Sequence, residues 1–382
     1  MQYVPFGSLG FEVSRLGFGA MRLPTHMENG KRVIDRARAI ALIRQGIDGG
    51  INYVDTAYGY HDGESEIVVG QALKEGYRER VKLTTKLPHW AVKEKEDLDK
   101  VLDEQLKKLD VPYVDFYILH AMNRDAFDKL SALDFRGFYD RALKDGRIKH
   151  TGFSFHDDYE TFIRIMDSYP FDMAQVQFNY LDENNQAGLQ GVIEAGKRHL
   201  PIVVMEPLRG GALANPPEEI RAIIRENPRK WSPVKWALRY VADRPEVVTI
   251  LSGMSAKRQL TDNLRIAKDA APGSLTDEDR AFTASLREEY KRRMPIGCTH
   301  CDYCQPCPKG VVIPNLFAAY NEAMMLGDMG HLTFRYAGAV KDQKDASQCV
   351  ACRKCETICP QHLPIVEWLK TVDTAYLKAK KG

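Results

Sequence analysis

The residues with the clearest chemical potential are eight cysteines, all in the last quarter of the 382-residue chain. They form two runs of four, CTHCDYCQPCP and CVACRKCETICP, and each run ends in Cys-Pro. Their positions are Cys298, Cys301, Cys304 and Cys307 in the first run, and Cys349, Cys352, Cys355 and Cys359 in the second. Residues 1–297 contain no cysteine, and the start of the chain lacks the pattern of a secretory signal. We therefore expect metal ligands in a reducing cytoplasm and no disulfide framework.

The spacing of these cysteines predicts two [4Fe–4S] clusters. A Cys-x2-Cys-x2-Cys run places three thiolates around one cluster, and the fourth cysteine reaches the other cluster. One predicted ligand set is Cys298, Cys301, Cys304 and Cys359, and the other is Cys349, Cys352, Cys355 and Cys307. The first run has only two residues before its fourth cysteine, where three are usual. The alternative is two four-cysteine zinc sites, which usually pair two separate Cys-x2-Cys segments. The region 290–370 resembles the bacterial two-cluster ferredoxin domain.

A second group of polar residues follows predicted strands in the first part of the chain. Asp55 ends NYVD, and Tyr60 comes five residues later. Lys86 ends KLTTK, and His120 ends DFYILH. Taken singly, these residues are compatible with a helix cap, a rim aromatic, a solvated strand end and a hydrogen-bonded core histidine. Together they suggest a site at the carboxyl ends of parallel strands, where barrel enzymes carry their chemistry.

The elements that must position these residues are eight short apolar runs alternating with amphipathic stretches. The predicted strands are Arg15–Ala20, Tyr53–Thr56, Val81–Lys86, Val114–His120, His150–Ser154, Met173–Gln177, Ile202–Met205 and Val247–Leu251. Helical patterns between them include Ala37–Asp48, Lys95–Leu109 and Ala187–Arg198. Eight apolar strands in such units predict an α/β fold, a closed (β/α)8 TIM barrel more than an open sheet. A small, mainly helical ferredoxin-like domain follows, and we expect the two domains to span 1–285 and 286–382.

Two further segments, VSRLGFGAMRL and GESEIVVGQAL, complete a pattern with the four strand-end residues. Over about residues 1–275 this pattern resembles the aldo–keto reductase family. The resemblance implies that Asp55, Tyr60, Lys86 and His120 are the catalytic tetrad of an NAD(P)-dependent oxidoreductase acting on a small carbonyl or alcohol. Tyrosine, with a reference pKa of ~10, would supply the proton, and a neighbouring lysine lowers that pKa. Asp55 would hold Lys86 charged, and His120 would donate a hydrogen bond to the carbonyl oxygen.

The same resemblance implies positions for the dinucleotide. Ser154 and Gln175 match residues that hold the nicotinamide carboxamide, and Met205 falls where many members stack a tyrosine. The adenosine end is matched by Gly253, Ser255, Gln259 and Asn263. The basic residues that many members use for a 2′-phosphate are not in their usual places. Lys257 and Arg258 either substitute for them or form a solvated helical turn, so NAD and NADP both remain open.

Barrels of this family followed by a two-cluster domain form a recognisable subgroup, which this chain resembles from end to end. A nicotinamide gives up two electrons as a hydride, whereas each cluster takes one, so a flavin is a possible third cofactor. Three interpretations follow: a redox enzyme coupled to its clusters, an ordinary carbonyl reductase with structural clusters, or a non-catalytic barrel that docks an electron-transfer domain. The intact tetrad argues against the third.

The expected partner is a small carbonyl or alcohol substrate, and a ferredoxin or other redox protein is a further candidate. A net charge of +2, from 54 basic and 52 acidic residues, gives no argument for nucleic acid. No stretch approaches 18 apolar residues, so no membrane partner is expected.

Overall fold

The computed structural model describes residues 1–381, which fall into two compact units. The first unit comprises Met1–Gly210 and Val234–Arg280, and the second comprises Gly211–Pro233 and the chain from Ala281 onward. The segment 211–233 thus groups with the C-terminal region although it lies within the barrel in sequence. The division near residue 285 into two independent domains stays a prediction.

The first unit contains a closed barrel of eight parallel strands, which confirms the predicted fold. The strands are β1 (Leu16–Gly19), β2 (Tyr53–Asp55), β3 (Lys82–Pro88), β4 (Val114–Met122), β5 (Ile148–Phe155), β6 (Met173–Gln177), β7 (Ile202–Met205) and β8 (Val247–Ser252). Each strand pairs with the next in sequence, and β8 pairs with β1 to close the barrel. All the carboxyl ends therefore open on one rim.

The opposite rim is closed by an antiparallel hairpin of Tyr3–Pro5 and Glu12–Ser14. Its connecting turn places Phe6, which is fully buried, against the aromatic rings of Tyr53 and Phe116 at the amino ends of β2 and β4. This apolar plug leaves only the carboxyl rim open for chemistry.

Helices alternate with the strands, as predicted. The helices of the described chain are Arg36–Asp48, Ser65–Ala72, Asp97–Leu109, Arg124–Ala132, Phe135–Asp145, Tyr159–Met166, Gly188–Lys197, Glu218–Glu226, Pro233–Ala242, Lys257–Ala267, Asp277–Arg292, Ile313–Leu326, Met329–Lys341, Lys354–Thr357 and Ile365–Lys381. A second hairpin, Thr25–Glu28 with Lys31–Ile34, follows β1. No helix within residues 1–381 is both long and apolar enough to cross a membrane.

The second unit is mainly helical and has its own apolar core. Helices Ile313–Leu326, Met329–Lys341 and Ile365–Lys381 supply most of that core. The rings of Tyr336 and Tyr376 stack with centroids 4.2 Å apart, and the Tyr336 hydroxyl donates to Asp373 at 2.6 Å. Six of the eight cysteines pack against this core, so the helices form the platform for both cysteine runs.

Candidate active site and cysteine centre

A buried lysine connects the predicted catalytic residues. Lys86 Nζ donates to Asp55 Oδ1 at 2.7 Å, to the Thr56 carbonyl oxygen at 2.7 Å and to the Tyr60 hydroxyl at 3.3 Å. The side chains of Lys86 and Asp55 are 1% and 3% exposed. Three of the four predicted tetrad residues are therefore in direct contact at the carboxyl rim.

The positions of these residues follow from the strands and turns that carry them. Asp55 is the last residue of β2 and pairs in register with Thr84 of β3, two residues before Lys86. Tyr60 begins a short 3-10 turn, Tyr60–Gly63, in which His61 has a positive φ of 51°. Ser65 fixes the end of this turn by hydrogen bonds to Thr56 Oγ1 and to the Ala20 carbonyl oxygen.

His120 completes the group from the end of β4. Its ring lies edge-on to Tyr60, with centroids 6.0 Å apart and an interplanar angle of 82°. Burial, followed by the charge of Lys86, holds the pKa of His120 well below its usual value, so the imidazole is neutral. Within residues 1–381, its buried Nδ1 has no hydrogen-bond partner.

Trp90 is a site residue that the sequence analysis missed. Its ring centroid is 5.0 Å from that of His120, and the side chain remains half exposed at the rim. The available signal was an aromatic residue only two positions after the end of β3.

The electrostatics of the tetrad are governed by burial. Burial raises the pKa of Asp55, against the opposing effect of Lys86. Burial alone would lower the pKa of Lys86, but Asp55 and Tyr60 outweigh it and raise that pKa. Lys86 acts on Tyr60 in the expected direction, yet burial is the larger effect and the pKa of Tyr60 is raised. The pKa shift therefore favours the protonated form of Tyr60.

The residues expected at the nicotinamide lie together on neighbouring strands. Ser154 of β5 pairs in register with Gln175 of β6, and both are 1% exposed. Gln175 Nε2 lies 3.7 Å from the sulfur of Met205, at the end of β7. Gln175 Oε1 is buried with no hydrogen-bond partner in the described chain, so one amide acceptor remains for a ligand.

The residues expected at the adenosine end lie around the start of helix Lys257–Ala267. Gln259 Oε1 accepts from the backbone N–H groups of Ser255 and Ala256, which makes Gln259 a cap for its own helix. Asn263 donates to Ser252 Oγ at 3.0 Å, and Gly253 is exposed. The Arg258 side chain is 95% exposed and 3.8 Å from Asp262, which favours the solvated-turn interpretation of this residue.

In the second unit, cysteines from both runs line one small cavity. Its cysteine residues are Cys298, Cys301, Cys304 and Cys359. Burial, with a smaller contribution from Cys359, raises the pKa of the Cys298 thiol, and none of the eight cysteines forms a disulfide. In residues 1–381 no three His, Cys, Asp or Glu side chains converge on a position for a single metal ion. The cysteines that line the cavity are nevertheless the four residues of one predicted ligand set.

The second predicted ligand set lies beside the first. Cys355 interacts electrostatically with Cys349 in its own run and with Cys304 of the other run. Burial raises the pKa of both Cys304 and Cys355 to about 11, so these thiols need a bound cation to become thiolates. The Cys349 sulfur accepts a hydrogen bond from the Ala351 N–H at 3.4 Å. Sulfur donors on an apolar platform fit iron–sulfur ligation.

The chain belongs to the aldo/keto reductase family. Residues 15–277 match this family of NAD(P)H-dependent oxidoreductases, and residues 297–363 match a 4Fe-4S dicluster domain. The chain is 26% identical over 336 residues to the NADH-specific methylglyoxal reductase of Escherichia coli, covering 76% of this chain and all of that protein. It is 28% identical over 187 residues to the probable aldo-keto reductase 1 of Glycine max, covering 47% of this chain and 52% of that relative.

Solved structures share the barrel. The holo form of aldo-keto reductase AKR11C1 from Bacillus halodurans aligns with a TM-score of 0.62 and 24% identity, over 75% of this chain and 96% of that one. An aldo-keto reductase from Klebsiella pneumoniae in complex with NADPH aligns with a TM-score of 0.58 and 23% identity, over 75% and 95%. At 23–24% identity, these alignments show that the fold is shared and nothing finer.

Proposed function

We propose that the barrel interconverts a small carbonyl compound and its alcohol with NAD(P)(H), and that Tyr60 is the proton donor. The observation that carries this proposal is the buried contact of Lys86 with both Asp55 and Tyr60. The methylglyoxal reductase among the relatives supports a small carbonyl substrate.

Each tetrad residue has a role that its surroundings support. Asp55 keeps Lys86 protonated and pointed at the Tyr60 hydroxyl. When Tyr60 gives its proton to the carbonyl oxygen, the resulting phenolate lies beside the Lys86 ammonium, which stabilises it. The neutral His120 carries one N–H that can donate to the same oxygen and orient it.

The dinucleotide, when bound, supplies or accepts the hydride. Ser154 and the unpartnered oxygen of Gln175 would hold the carboxamide of its nicotinamide ring. Met205 would pack against the ring, as a flexible thioether can.

Tyr60→Phe tests the proposal. This change keeps the ring and removes the hydroxyl, so we expect turnover to fall about 10²-fold or more. Dinucleotide affinity should stay nearly unchanged. The matched control is Tyr58→Phe, because among residues 1–381 the Tyr58 hydroxyl hydrogen-bonds only to Glu104, at 3.3 Å. Wild-type turnover in Tyr60→Phe with a substrate such as methylglyoxal would contradict the assignment.

We further propose that the cysteines hold two [4Fe–4S] clusters, with the crossed ligand sets given by their spacing. The clusters supply one-electron steps. The support is the shared cavity and the electrostatic interaction of Cys304 with Cys355; clusters held by these two residues would be near enough for electron exchange. Eight cysteines without a disulfide suit a reducing compartment such as the cytoplasm.

Whether electrons pass from the dinucleotide in the barrel to the clusters is measured by adding NADH or NADPH to anaerobic protein and following the cluster absorbance. Bleaching of the cluster absorbance without added flavin supports a redox enzyme that passes electrons onward, for example to a ferredoxin. Bleaching only after a flavin is added identifies the flavin as the group that splits the electron pair. Carbonyl reduction without bleaching supports an ordinary reductase with structural clusters.

A further inference from the structure

Arg22 lies at the carboxyl rim, at the end of the 3-10 turn Ala20–Arg22 that follows β1. Its aliphatic stem runs along Gly253, beyond β8: a β-carbon built on that glycine would lie 3.1–3.3 Å from the Arg22 Cβ, Cγ and Cδ atoms. Its guanidinium reaches Gly210 in the loop after β7, where a built β-carbon would lie 3.3 Å from Nη2. Glycine at both positions leaves room for this side chain.

The guanidinium of Arg22 is exposed and forms no ion pair within the described chain. Arg22 differs in this respect from Arg258, one of the two basic residues considered above for the 2′-phosphate, because Arg258 points to solvent beside Asp262. Loops after strands 7 and 8 of (β/α)8 barrels frequently hold phosphate groups. A guanidinium is suited to that ligand because its planar fork can donate two parallel hydrogen bonds to phosphate oxygens.

The backbone on both sides of Arg22 is held by one residue. His61 Nε2 accepts a hydrogen bond from the Leu23 N–H at 3.1 Å, and the His61 ring also bonds to the backbone of Met21. His61 directly follows Tyr60. The same imidazole therefore fixes the turn that carries Arg22 and connects it to the turn that carries Tyr60, so the backbone of Arg22 is held in place by the protein itself.

From this arrangement we infer that Arg22 binds a phosphate group of the nicotinamide dinucleotide. The inference rests on the proposed function and assigns the phosphate contact to the turn after β1, not to Lys257 or Arg258. Two groups could be this phosphate: the diphosphate bridge, which NAD and NADP share, and the 2′-phosphate, which only NADP carries. Loss of Arg22 would therefore weaken binding of both dinucleotides in the first case and of NADP alone in the second.

The test is calorimetric titration of the full-length anaerobic protein with NADH and with NADPH. For Arg22→Gln we expect binding weakened about 10- to 100-fold, the loss that follows from removing a charged hydrogen-bond donor. Arg22→Lys, which keeps the charge without the fork, should lose less. Arg258→Gln is the matched control and should bind like wild type. Equal weakening for both dinucleotides identifies the diphosphate, and weakening for NADPH alone identifies the 2′-phosphate.

The inference is overturned if wild type binds a dinucleotide and Arg22→Gln binds it within twofold as well. That result leaves the proposed function standing. Absence of binding by wild type removes both proposals. Melting curves establish that Arg22→Gln is folded. If Arg22→Gln does not fold, Arg22→Lys decides. Unchanged affinity of Arg22→Lys for both dinucleotides, together with weaker binding by Arg258→Gln, would place the phosphate elsewhere and overturn the inference.

Discussion

Replacing Lys86 by methionine tests the buried pair at the centre of the site. Methionine approximates the length of the lysine stem, so the change mainly removes a charge. Asp55 would lose the partner of Oδ1, and its Oδ2 already lacks one among residues 1–381. Removing one member of a buried ion pair costs about 3–5 kcal/mol, because the other charge stays buried. We expect the free energy of unfolding to fall by that amount at pH 7, and turnover to fall at least as far as in Tyr60→Phe.

A second change separates stability from catalysis. Asp55→Asn in the Lys86→Met background removes the uncompensated charge, so most of the lost stability should return. Turnover should not return, because no ammonium remains to stabilise a Tyr60 phenolate. Denaturant unfolding followed by circular dichroism and steady-state assays measure the two effects separately.

The stability loss in Lys86→Met should also depend on pH. Without Lys86, burial alone acts on Asp55 and raises its pKa in the folded state above the unfolded value of about 3.9. Between these two pKa values the folded state binds more protons, so stability falls as pH rises through that window. The deficit should therefore shrink as pH is lowered from 7 towards ~4. Equal unfolding midpoints for wild type and Lys86→Met at pH 7, or no recovery with Asp55→Asn, would refute this account.

Two further predictions concern the cysteine centre and the helix packing. Cys359→Ala should degrade the cluster of Cys298, Cys301 and Cys304, whereas Cys307→Ala should degrade the cluster of the second run. Paramagnetic resonance spectra of the reduced protein distinguish the two clusters. The opposite pattern would show that each run of cysteines holds its own cluster. Gly70→Ala should destabilise the protein by about 1–3 kcal/mol, because its β-carbon would lie 2.3 Å from the Leu109 carbonyl oxygen. Gly338→Ala, in a helix with open space around it, should stabilise by about 0.5–1 kcal/mol, and equal melting temperatures for the two variants would argue against the described packing.

The strands could be predicted closely because each is a short apolar run buried within the barrel. Met173–Gln177 and Ile202–Met205 match their predicted bounds, and both are almost wholly buried. β5 starts at Ile148, two residues before its predicted start, since the exposed Lys149 interrupts the apolar pattern. β4 extends to Met122 across a register shift at Ala121, which has a φ of 55°. That irregularity depends on packing and leaves no sequence pattern.

Other features depended on contacts that the sequence does not display. The hairpin Thr25–Glu28 with Lys31–Ile34 was not predicted, although its Asn29-Gly30 turn, with positive φ at both residues, carries a hairpin signal. The raised pKa of Tyr60 reflects how deeply the ring is buried, which no spacing reveals. The surroundings of Arg22 are formed by the segments after β1, β7 and β8, which are far apart in the sequence.

The sharing of one cavity by Cys298 and Cys359 has a consequence for how the protein is made. A ribosome completes the first run long before it reaches Cys359, which lies 55 positions after Cys304. During that interval the nascent chain offers the four thiols of the first run and, under the proposed crossed ligand sets, no complete site. Because metal binding and folding are coupled in small metal domains, iron delivered early would meet an unfolded region and an open coordination position. The architecture therefore favours cluster insertion after helix Ile313–Leu326 and the second run have emerged, and leaves the first run open to oxidation until then.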